Sequence, residues 1–111
     1  MDKTERLEIQ ARVKAAQNVE EEQAALAQAV AVVDIRESLP PGVADLYHQW
    51  DTRRYPDVTS DYVKVVRQHG AAYDRGAQRY CIPVAKVQAV QAALEQEGFI
   101  VALGMSLAAK A

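Results

Sequence analysis

The sequence predicts an α+β fold: a long N-terminal helix, then a helix, a β-hairpin, a helix and a strand that share a small antiparallel sheet. Three observations predict it. The front third lacks Gly and Pro, two short stretches flank one glycine-containing connection, and an apolar run lies near the C-terminus. The 111 residues suit one domain with one modest core. We expect an acidic helical arm at residues 1–38 and a compact α+β domain at residues 43–111.

The first predicted element is a helix from about residue 3 to about Ser38. It is rich in Ala, Glu, Gln, Leu and Arg, which lose little entropy in a helix. Asp2 and Glu5 have the spacing of an N-terminal capping box, and the Pro40-Pro41 pair ends the helix. One helix of about 35 residues and two helices separated near Asn18 both agree with this pattern.

One side of this predicted helix is apolar from residue 19 onward. Two heptad series run along it: Arg12, Val19, Leu26 and Val33, and Ala16, Gln23 and Val30. An amphipathic helix of this length needs a surface against which to bury its apolar side. We therefore predict a coiled-coil-like helix interface, with the rest of the chain or in a homodimer, formed by Val19, Leu26, Val30 and Val33.

The middle of the chain is predicted to be helical as well. Residues 43–50 are expected to form one or two turns whose inward residues are Leu46, Tyr47 and Trp50. After a polar loop, apolar residues recur at helical spacing from Val58 to His69, and Gly70 follows as the usual C-terminal residue. The run YVKVV in this segment is rich in β-branched residues, so a strand is the alternative.

The back half is predicted to hold a β-hairpin, a helix and a strand. Ala72–Asp74 and Arg79–Ile82 flank a connection that contains a glycine, and Pro83 ends the second strand. Apolar residues then recur at helical spacing from Val84 to Leu94, up to Gly98. The run from Phe99 to Leu103 is predicted to be a buried strand.

Few residues support catalysis or metal binding. Cys81 is the single cysteine, and His48 and His69 are the two histidines. Their spacing matches no zinc motif, and nothing in it requires a histidine to approach the thiol. The sequence also lacks the loops GxxxxGK[ST] and GxGxxG that bind nucleotide phosphates. We therefore expect a protein that is not an enzyme and uses neither a metal nor a cofactor.

The charge distribution separates two halves of the chain. The net charge of −2 disfavours strong non-specific nucleic-acid binding by the whole chain, but residues 1–38 carry −3 and residues 51–91 carry +3. The N-terminus alternates acids and bases, and no apolar run approaches the roughly 20 residues of a membrane span. A cytoplasmic protein that does not bind membranes is expected.

Residues 70–99 contain a recognisable pattern. Tyr73-Asp74 opens a hairpin turn, Tyr80 is a second aromatic residue, and Ile82-Pro83 precedes a helix. Together with the upstream helix, residues 60–103 resemble the HARP-type module attached to annealing helicases and related short bacterial and phage segments. The chain departs from that pattern in having Tyr where Trp is common and in lacking a helicase motor.

Two functional expectations follow. The first is a non-catalytic module that contacts single-stranded or branched nucleic acid through Tyr73, Arg75, Arg79, Tyr80 and Arg67, with rings that stack on bases and arginines that neutralise phosphates. In the structural alternative, Tyr73 and Tyr80 are only a cross-strand pair. The second expectation is a bacterial or phage protein, structural or inhibitory, that binds another protein through the acidic helix. One contiguous basic face would favour nucleic acid, and its expected members are Arg53, Arg54, Arg67, Arg75 and Arg79.

A second resemblance involves the aromatic residues on either side of the predicted helix. Trp50, Tyr55, Tyr62 and Tyr73 are spaced in a way similar to the framework of small carbohydrate-binding modules in phage tail proteins. That resemblance implies an all-β fold, which conflicts with the helical spacing after Val58.

Overall fold

The computed structural model describes residues 1–110. Along the chain, helices are interspersed with strands, and the strands form one mixed sheet. The elements are α1 (Lys3–Ala15), α2 (Val19–Ala27), β1 (Val32–Glu37), β2 (Val43–His48), α3 (Pro56–Gln68), β3 (Ala72–Asp74), β4 (Arg79–Pro83), a 3-10 turn (Val84–Lys86), α4 (Val87–Gln96), β5 (Ile100–Leu103) and α5 (Met105–Lys110). The α+β class is confirmed, and the all-β alternative is wrong. Within residues 1–110, no helix is long and apolar enough to cross a membrane.

The front segment forms two helices, so the single long helix is wrong and the break near Asn18 is confirmed. The Asp2 side chain accepts a hydrogen bond from the Glu5 backbone N–H at 2.9 Å, as the capping spacing predicts. The Asn18 side chain caps α2 in the same way, accepting from the Glu21 N–H at 2.9 Å. Each helix therefore has its own start signal, and α1 ends at Ala15 before the second cap.

The prediction that the helix continues to Ser38 is wrong, because Val32–Glu37 is strand β1. Val33 and Ile35 are buried, whereas Val32 and Asp34 are half-buried and Arg36 is exposed. This alternation has the two-residue period of a strand. The β-branched residues fit an extended backbone better than a helix, and the alanine-rich sequence upstream hides the change of period.

The segment predicted as helical turns at residues 43–50 is also a strand, β2, which ends at His48. Ala44 and Leu46 are fully buried, whereas Tyr47 is half-buried and lies on the opposite face. Trp50 is buried after the strand ends. The expectation that Leu46 and Trp50 face inward is confirmed, and that for Tyr47 is wrong because neighbouring strand residues point to opposite faces.

The elements from α3 to β5 agree with the sequence analysis in type and order, whereas helix α5 (Met105–Lys110) was not predicted. Helix α3 buries Val58, Tyr62, Val65 and Val66, so the helical interpretation of YVKVV is confirmed. The hairpin β3–β4 pairs Ala72–Asp74 with Arg79–Cys81. Helix α4 begins three residues after the predicted Val84, because Val84–Lys86 form the 3-10 turn, and strand β5 begins one residue after the predicted Phe99.

The sheet has the order β3-β4-β2-β1-β5. Its pairs are antiparallel except for β1 with β5, which is parallel, so the sheet is largely antiparallel, as expected, but mixed. The core lies between one face of the sheet and helices α3 and α4. It is formed by Val33, Ile35, Ala44, Leu46, Tyr80 and Ile82 of the strands and by Val58, Tyr62, Val66, Val87, Val90 and Leu94 of the helices.

Helix α1 is attached through polar side chains rather than through an apolar seam. Arg6 is 1% exposed, and it donates to the backbone carbonyls of Glu97 at 2.9 Å and Met1 at 3.1 Å and to Asp61 Oδ2 at 2.8 Å. One helical turn later, the Gln10 amide donates to carbonyls at the end of α4 and the start of β5. Gly98 has φ +85°, and a Cβ there would lie 2.6 Å from the Arg6 Cβ, so this close approach requires glycine.

Candidate functional site

The β3–β4 turn is held by the side chain of Asp74. Its Oδ1 accepts hydrogen bonds from the backbone N–H groups of Gly76 at 3.0 Å and Ala77 at 3.1 Å. This is the arrangement that an Asx turn provides. Gln78 adopts φ 57° before the second strand begins. The turn thus fixes the two tyrosines that flank it in direct register, Tyr73 opposite Tyr80.

Tyr73 and Tyr80 form a cross-strand aromatic pair, with ring centroids 5.0 Å apart and an interplanar angle of 68°. Tyr80 is 8% exposed and also contacts Tyr62 edge to face at 6.1 Å. Tyr73 is 49% exposed. Tyr80 is therefore a core residue, and Tyr73 is a surface ring that rests on it.

The arginines predicted beside these rings lie on both faces of the sheet. The guanidinium carbon of Arg67 lies 5.9 Å from the Tyr80 ring centroid, on the side covered by α3. The corresponding atom of Arg79 lies 4.5 Å from the ring centroid of Tyr47, on the opposite face. Arg75 is exposed in the turn between them. Tyr73, Tyr80 and Arg67 are thus brought together, and the guanidinium of Arg79 is directed away from them.

The two arginines of the loop before α3 are exposed. The guanidinium carbon of Arg54 lies 5.5 Å from the Tyr55 ring centroid, and the Arg53 backbone N–H donates to Asp51 at 2.9 Å. Both residues follow Thr52, which lines the cavity described next.

A cavity of about 240 Å³ lies beside Tyr73 and Tyr80. We call it the aromatic pocket; its lining residues are His48, Trp50, Thr52, Thr59, Tyr62, Val63, Tyr73, Arg79 and Tyr80. The end of β2, the following loop, α3 and the hairpin each contribute to it. The Trp50 indole N–H donates to Thr59 Oγ1 at 2.9 Å, and the Thr59 hydroxyl donates to the Tyr55 carbonyl at 3.0 Å. These two bonds fix the orientation of the tryptophan ring.

Tyr62 is the most deeply buried residue of the aromatic pocket, at 2% exposed. Its hydroxyl is buried and has no hydrogen-bond partner within residues 1–110. Leaving a buried hydroxyl without a partner costs about 1–3 kcal/mol. Burial raises the pKa of the phenol, and the nearby Tyr80 and Cys81 raise it further, so the hydroxyl keeps its proton. Tyr62 can therefore both donate and accept a hydrogen bond.

His48 forms the wall of the pocket at the end of β2. Its ring centroid lies 5.3 Å from that of Trp50 and 6.0 Å from that of Tyr62. Partial burial among these rings lowers the pKa of His48 below its usual 6.5. The imidazole is therefore neutral at pH 7.

The opposite face of the sheet, which we call the open face, carries a different arrangement. The Tyr47 ring lies between the guanidinium carbons of Arg36 at 5.0 Å and Arg79 at 4.5 Å. Each arginine also contacts an aspartate, Arg36 with Asp34 at 3.2 Å and Arg79 with Asp45 at 3.9 Å. These carboxylates offset the positive charge of the open face.

Cys81 lies on the open face, and its thiol donates to Asp45 Oδ1 at 3.1 Å. Partial burial raises the pKa of the thiol to about 11, and the hydrogen bond and negative charge of Asp45 contribute to the shift. A thiol with this pKa is a weak nucleophile at neutral pH. The second histidine, His69, makes a 3.0 Å hydrogen bond between Nδ1 and the Val65 carbonyl at the end of α3.

The residues predicted as a helix interface lie on different elements. Val19 begins α2 and is 72% exposed, Leu26 is half-buried on the same helix, and Val30 is half-buried after it. Val33 is fully buried in β1. Because Val33 belongs to a strand, these four residues cannot form one helical seam. No residue of α2 is buried.

Sequence reasoning did not find the aromatic pocket as a site. From the sequence, Trp50 is assigned to the core, Trp50 and Tyr62 belong to the carbohydrate-module resemblance, and His48 has no role. The available signal is the concentration of seven aromatic or imidazole side chains between residues 48 and 80, five of which line the pocket, in a stretch that is also net basic. Their convergence depends on β2 being a strand, which the sequence analysis predicted as helix.

Comparison with known proteins adds no relative from which a role can be transferred. The chain has no significant match among protein-family models, curated proteins or solved structures.

Proposed function

We propose that the chain is a non-catalytic module that binds single-stranded nucleic acid at the edge of the sheet formed by the β3–β4 hairpin. The observation that carries the proposal is the exposed ring of Tyr73, which rests on Tyr80 at 5.0 Å, with Arg67 beside Tyr80. An exposed aromatic ring with a rigid support offers a stacking surface to an unpaired base. A neighbouring guanidinium can neutralise a phosphate of the same strand.

The balance of charge supports this edge over the open face. Three aspartates of α3 and the hairpin already have partners: Asp57 binds the N-terminal ammonium, Asp61 binds Arg6, and Asp74 caps the turn. Their charge is therefore partly used within the protein, while Arg67 and Arg75 remain exposed. On the open face, by contrast, the aspartates contact the arginines directly.

The order of elements in residues 60–103 also supports the proposal. A helix that ends near Gly70, a hairpin opened by Tyr73-Asp74 and a helix after Pro83 follow one another, as the resemblance to HARP-type modules implies. The assignment to that class of module is part of the proposal.

The proposal is tested with a fluorescently labelled single-stranded oligonucleotide and the full chain. Replacing Arg67 or Arg75 with Ala should weaken binding. It should also reduce the slope of the logarithm of the binding constant against the logarithm of the salt concentration by about 0.7 per lost phosphate contact. Replacing Tyr73 with Ala should weaken binding by about 1–3 kcal/mol with little change in salt dependence. Arg12→Ala is the matched control, because it removes the same charge from α1, which is not part of the hairpin. Native protein that does not bind the oligonucleotide would overturn the proposal.

A second candidate function, binding of a protein partner or a second copy through α2, is favoured by one observation. Val19 is 72% exposed beside the exposed Glu20, Glu21 and Glu22. The start of α2 therefore presents an exposed apolar side chain beside three negative charges. Replacing Val19 with Glu would abolish such binding but leave oligonucleotide binding intact. Light scattering of the native chain and the variant tests self-association.

A further inference from the structure

We infer that strand β5 pairs with β5 of a second copy of the chain, in antiparallel orientation about a two-fold axis at Ala102. The sheets of the two copies then form one continuous sheet. Strands β5 and β3 are the opposite edges of the sheet, so this surface is separate from the hairpin. The inference therefore does not rest on the proposed function.

The outer edge of β5 carries backbone groups that the protein does not pair. The N–H groups of Ile100 and Gly104 each donate to a carbonyl on the β1 side at 2.8 Å. Because the backbone groups of successive strand residues point to alternate sides, the N–H and C=O groups of Val101 and Leu103 point away from β1. Within residues 1–110, no hydrogen bond reaches these outward groups.

The neighbouring helices cover only the beginning of this edge. The Gln10 amide of α1 donates at 2.9 Å to the carbonyl of Phe99, which is the outward carbonyl before Val101. At the other end, α5 turns back against β1 and buries Leu107. The side chains of β5 are half-buried except that of Ala102, which is exposed. The rest of the edge is therefore open.

The sequence of β5 contains neither a charged residue nor a proline. These are residue types with which proteins prevent an exposed edge strand from pairing. Strand β5 is the uncharged run Ile100–Leu103. The other edge strand, β3, is only three residues long and ends at the charged Asp74. Of the two edges, β5 is thus the one suited to the addition of another strand.

A second copy of β5 fits this edge. In an antiparallel pair centred on Ala102, Val101 of each copy lies opposite Leu103 of the other, and such opposed residues exchange both backbone hydrogen bonds. The outward groups of both copies are then used. At the axis, only the small side chain of Ala102 meets its counterpart, and Ile100 lies opposite Gly104, which has no side chain.

Two exposed apolar side chains lie at opposite ends of the same edge. Leu7 of α1 is 37% exposed, and its backbone lies against Gly98, just before β5. Met105, just after β5, is 92% exposed. The two-fold axis brings the start of one β5 beside the end of the other, so Leu7 of each copy lies near Met105 of the other. The same patch therefore supplies both sides of the interface, as a two-fold dimer requires.

The test measures the molar mass of the full chain by sedimentation velocity over a range of concentrations. An interface of one short strand and two side chains from each copy is at the small end for specific interfaces, so we expect a dimer that dissociates on dilution. Replacement Ala102→Lys places two ammonium groups together at the axis and should weaken dimerisation about tenfold or more. Ala72→Lys is the matched control, because it adds the same charge to an exposed alanine of β3 and should leave the dimer unchanged.

A mixture of the Ala102→Lys and Ala102→Glu variants tests the two-fold pairing directly. Each variant alone should be largely monomeric, whereas the mixture should form a heterodimer, because the introduced ammonium and carboxylate face each other across the axis. Amide hydrogen exchange provides a measurement on the native chain. The amides of Val101 and Leu103 should exchange more slowly as the protein concentration rises.

A native chain that is monomeric at every concentration overturns the inference, as does exchange of Val101 and Leu103 that is independent of concentration. A dimer that is unchanged in Ala102→Lys, or that dissociates in Val19→Glu, also overturns it, because the copies then associate through another surface. None of these outcomes bears on oligonucleotide binding by the hairpin.

Discussion

Arg6 and Asp61 join α1 to α3 through an ion pair in which only the cation is buried. Arg6 Nη2 lies 2.8 Å from Asp61 Oδ2, and the side chain of Arg6 is 0% exposed whereas that of Asp61 is 47% exposed. The guanidinium carbon also lies 5.1 Å from the Phe99 ring centroid. Because carbonyls and a ring surround the cation, the protein replaces the water that Arg6 loses.

Replacement Arg6→Met should lower the free energy of unfolding by about 2–4 kcal/mol, because it removes three charge-assisted hydrogen bonds and leaves two carbonyls without their donor. The half-exposed Asp61 can be rehydrated, which keeps the loss below that of a fully buried pair. Urea unfolding measures the effect. Lys3→Met is the control, since Lys3 makes a 3.4 Å exposed contact with Glu97 and should change stability by less than about 1 kcal/mol. Equal losses of stability in the two variants would contradict the conclusion that the buried hydrogen bonds of Arg6 attach α1.

The two tyrosines of the hairpin should respond differently to truncation. Tyr80→Ala should cost about 3–5 kcal/mol of stability, because it removes a buried ring from the core. Tyr73→Ala should cost much less, because half of that ring is exposed, and should mainly reduce oligonucleotide binding. Melting curves recorded beside the binding assay separate the two effects. If the Tyr73→Ala variant is folded and binds the oligonucleotide with native affinity, the Tyr73 ring does not stack on a base.

The free energy of unfolding should decrease as the pH is lowered below 6.5, because His48 then titrates. Burial lowers its pKa below 6.5 in the folded protein, so both states hold a neutral imidazole above that pH. As the pH falls below 6.5, the unfolded state binds a proton first, and stability is lost until the folded-state pKa is reached. Replacement His48→Gln should remove this part of the pH dependence. Melting temperatures of the native protein and the variant, recorded across that range, would disagree with the prediction if their slopes were equal.

Cys81 should react slowly with alkylating reagents in the native protein. A pKa raised from 9.0 to about 11 leaves about a hundredfold less thiolate at mildly alkaline pH. Replacement Asp45→Asn removes the negative charge beside the thiol and should accelerate alkylation by iodoacetamide. The urea-unfolded protein provides the reference rate. A native thiol that reacts as fast as the unfolded one would show that its surroundings do not protect it.

The elements that the sequence predicts well are those whose signal is local. Helix α3 follows from the helical spacing of Val58, Tyr62 and Val66, and the hairpin follows from Asp74 and Gly76 at the turn. Strands β1 and β2 were missed because each is only six residues long. Over that length, alternation is hard to distinguish from a short helical turn, and for β1 the alanine-rich sequence before it adds a helical signal.

The candidate site could be predicted only in part for the same reason. Tyr73, Tyr80 and Arg75 lie within a few residues of one another, so a local pattern is enough to find them. The aromatic pocket depends on His48, Trp50 and Tyr62, which come from a strand, a loop and a helix. Only the tertiary arrangement of these elements brings the three side chains together.

The parallel pairing of β1 with β5 has a consequence for the order in which the chain folds. Val33 pairs with Val101, so one side of β1 stays uncovered during synthesis until residues 100–103 have been made. Its other side can pair with β2 through a short connection as soon as residue 48 appears. Pairings between distant segments carry the larger loop-closure cost and form late. A hairpin of β1 and β2 should therefore be the first native strand pair, and the arrival of β5 should mark the cooperative end of folding.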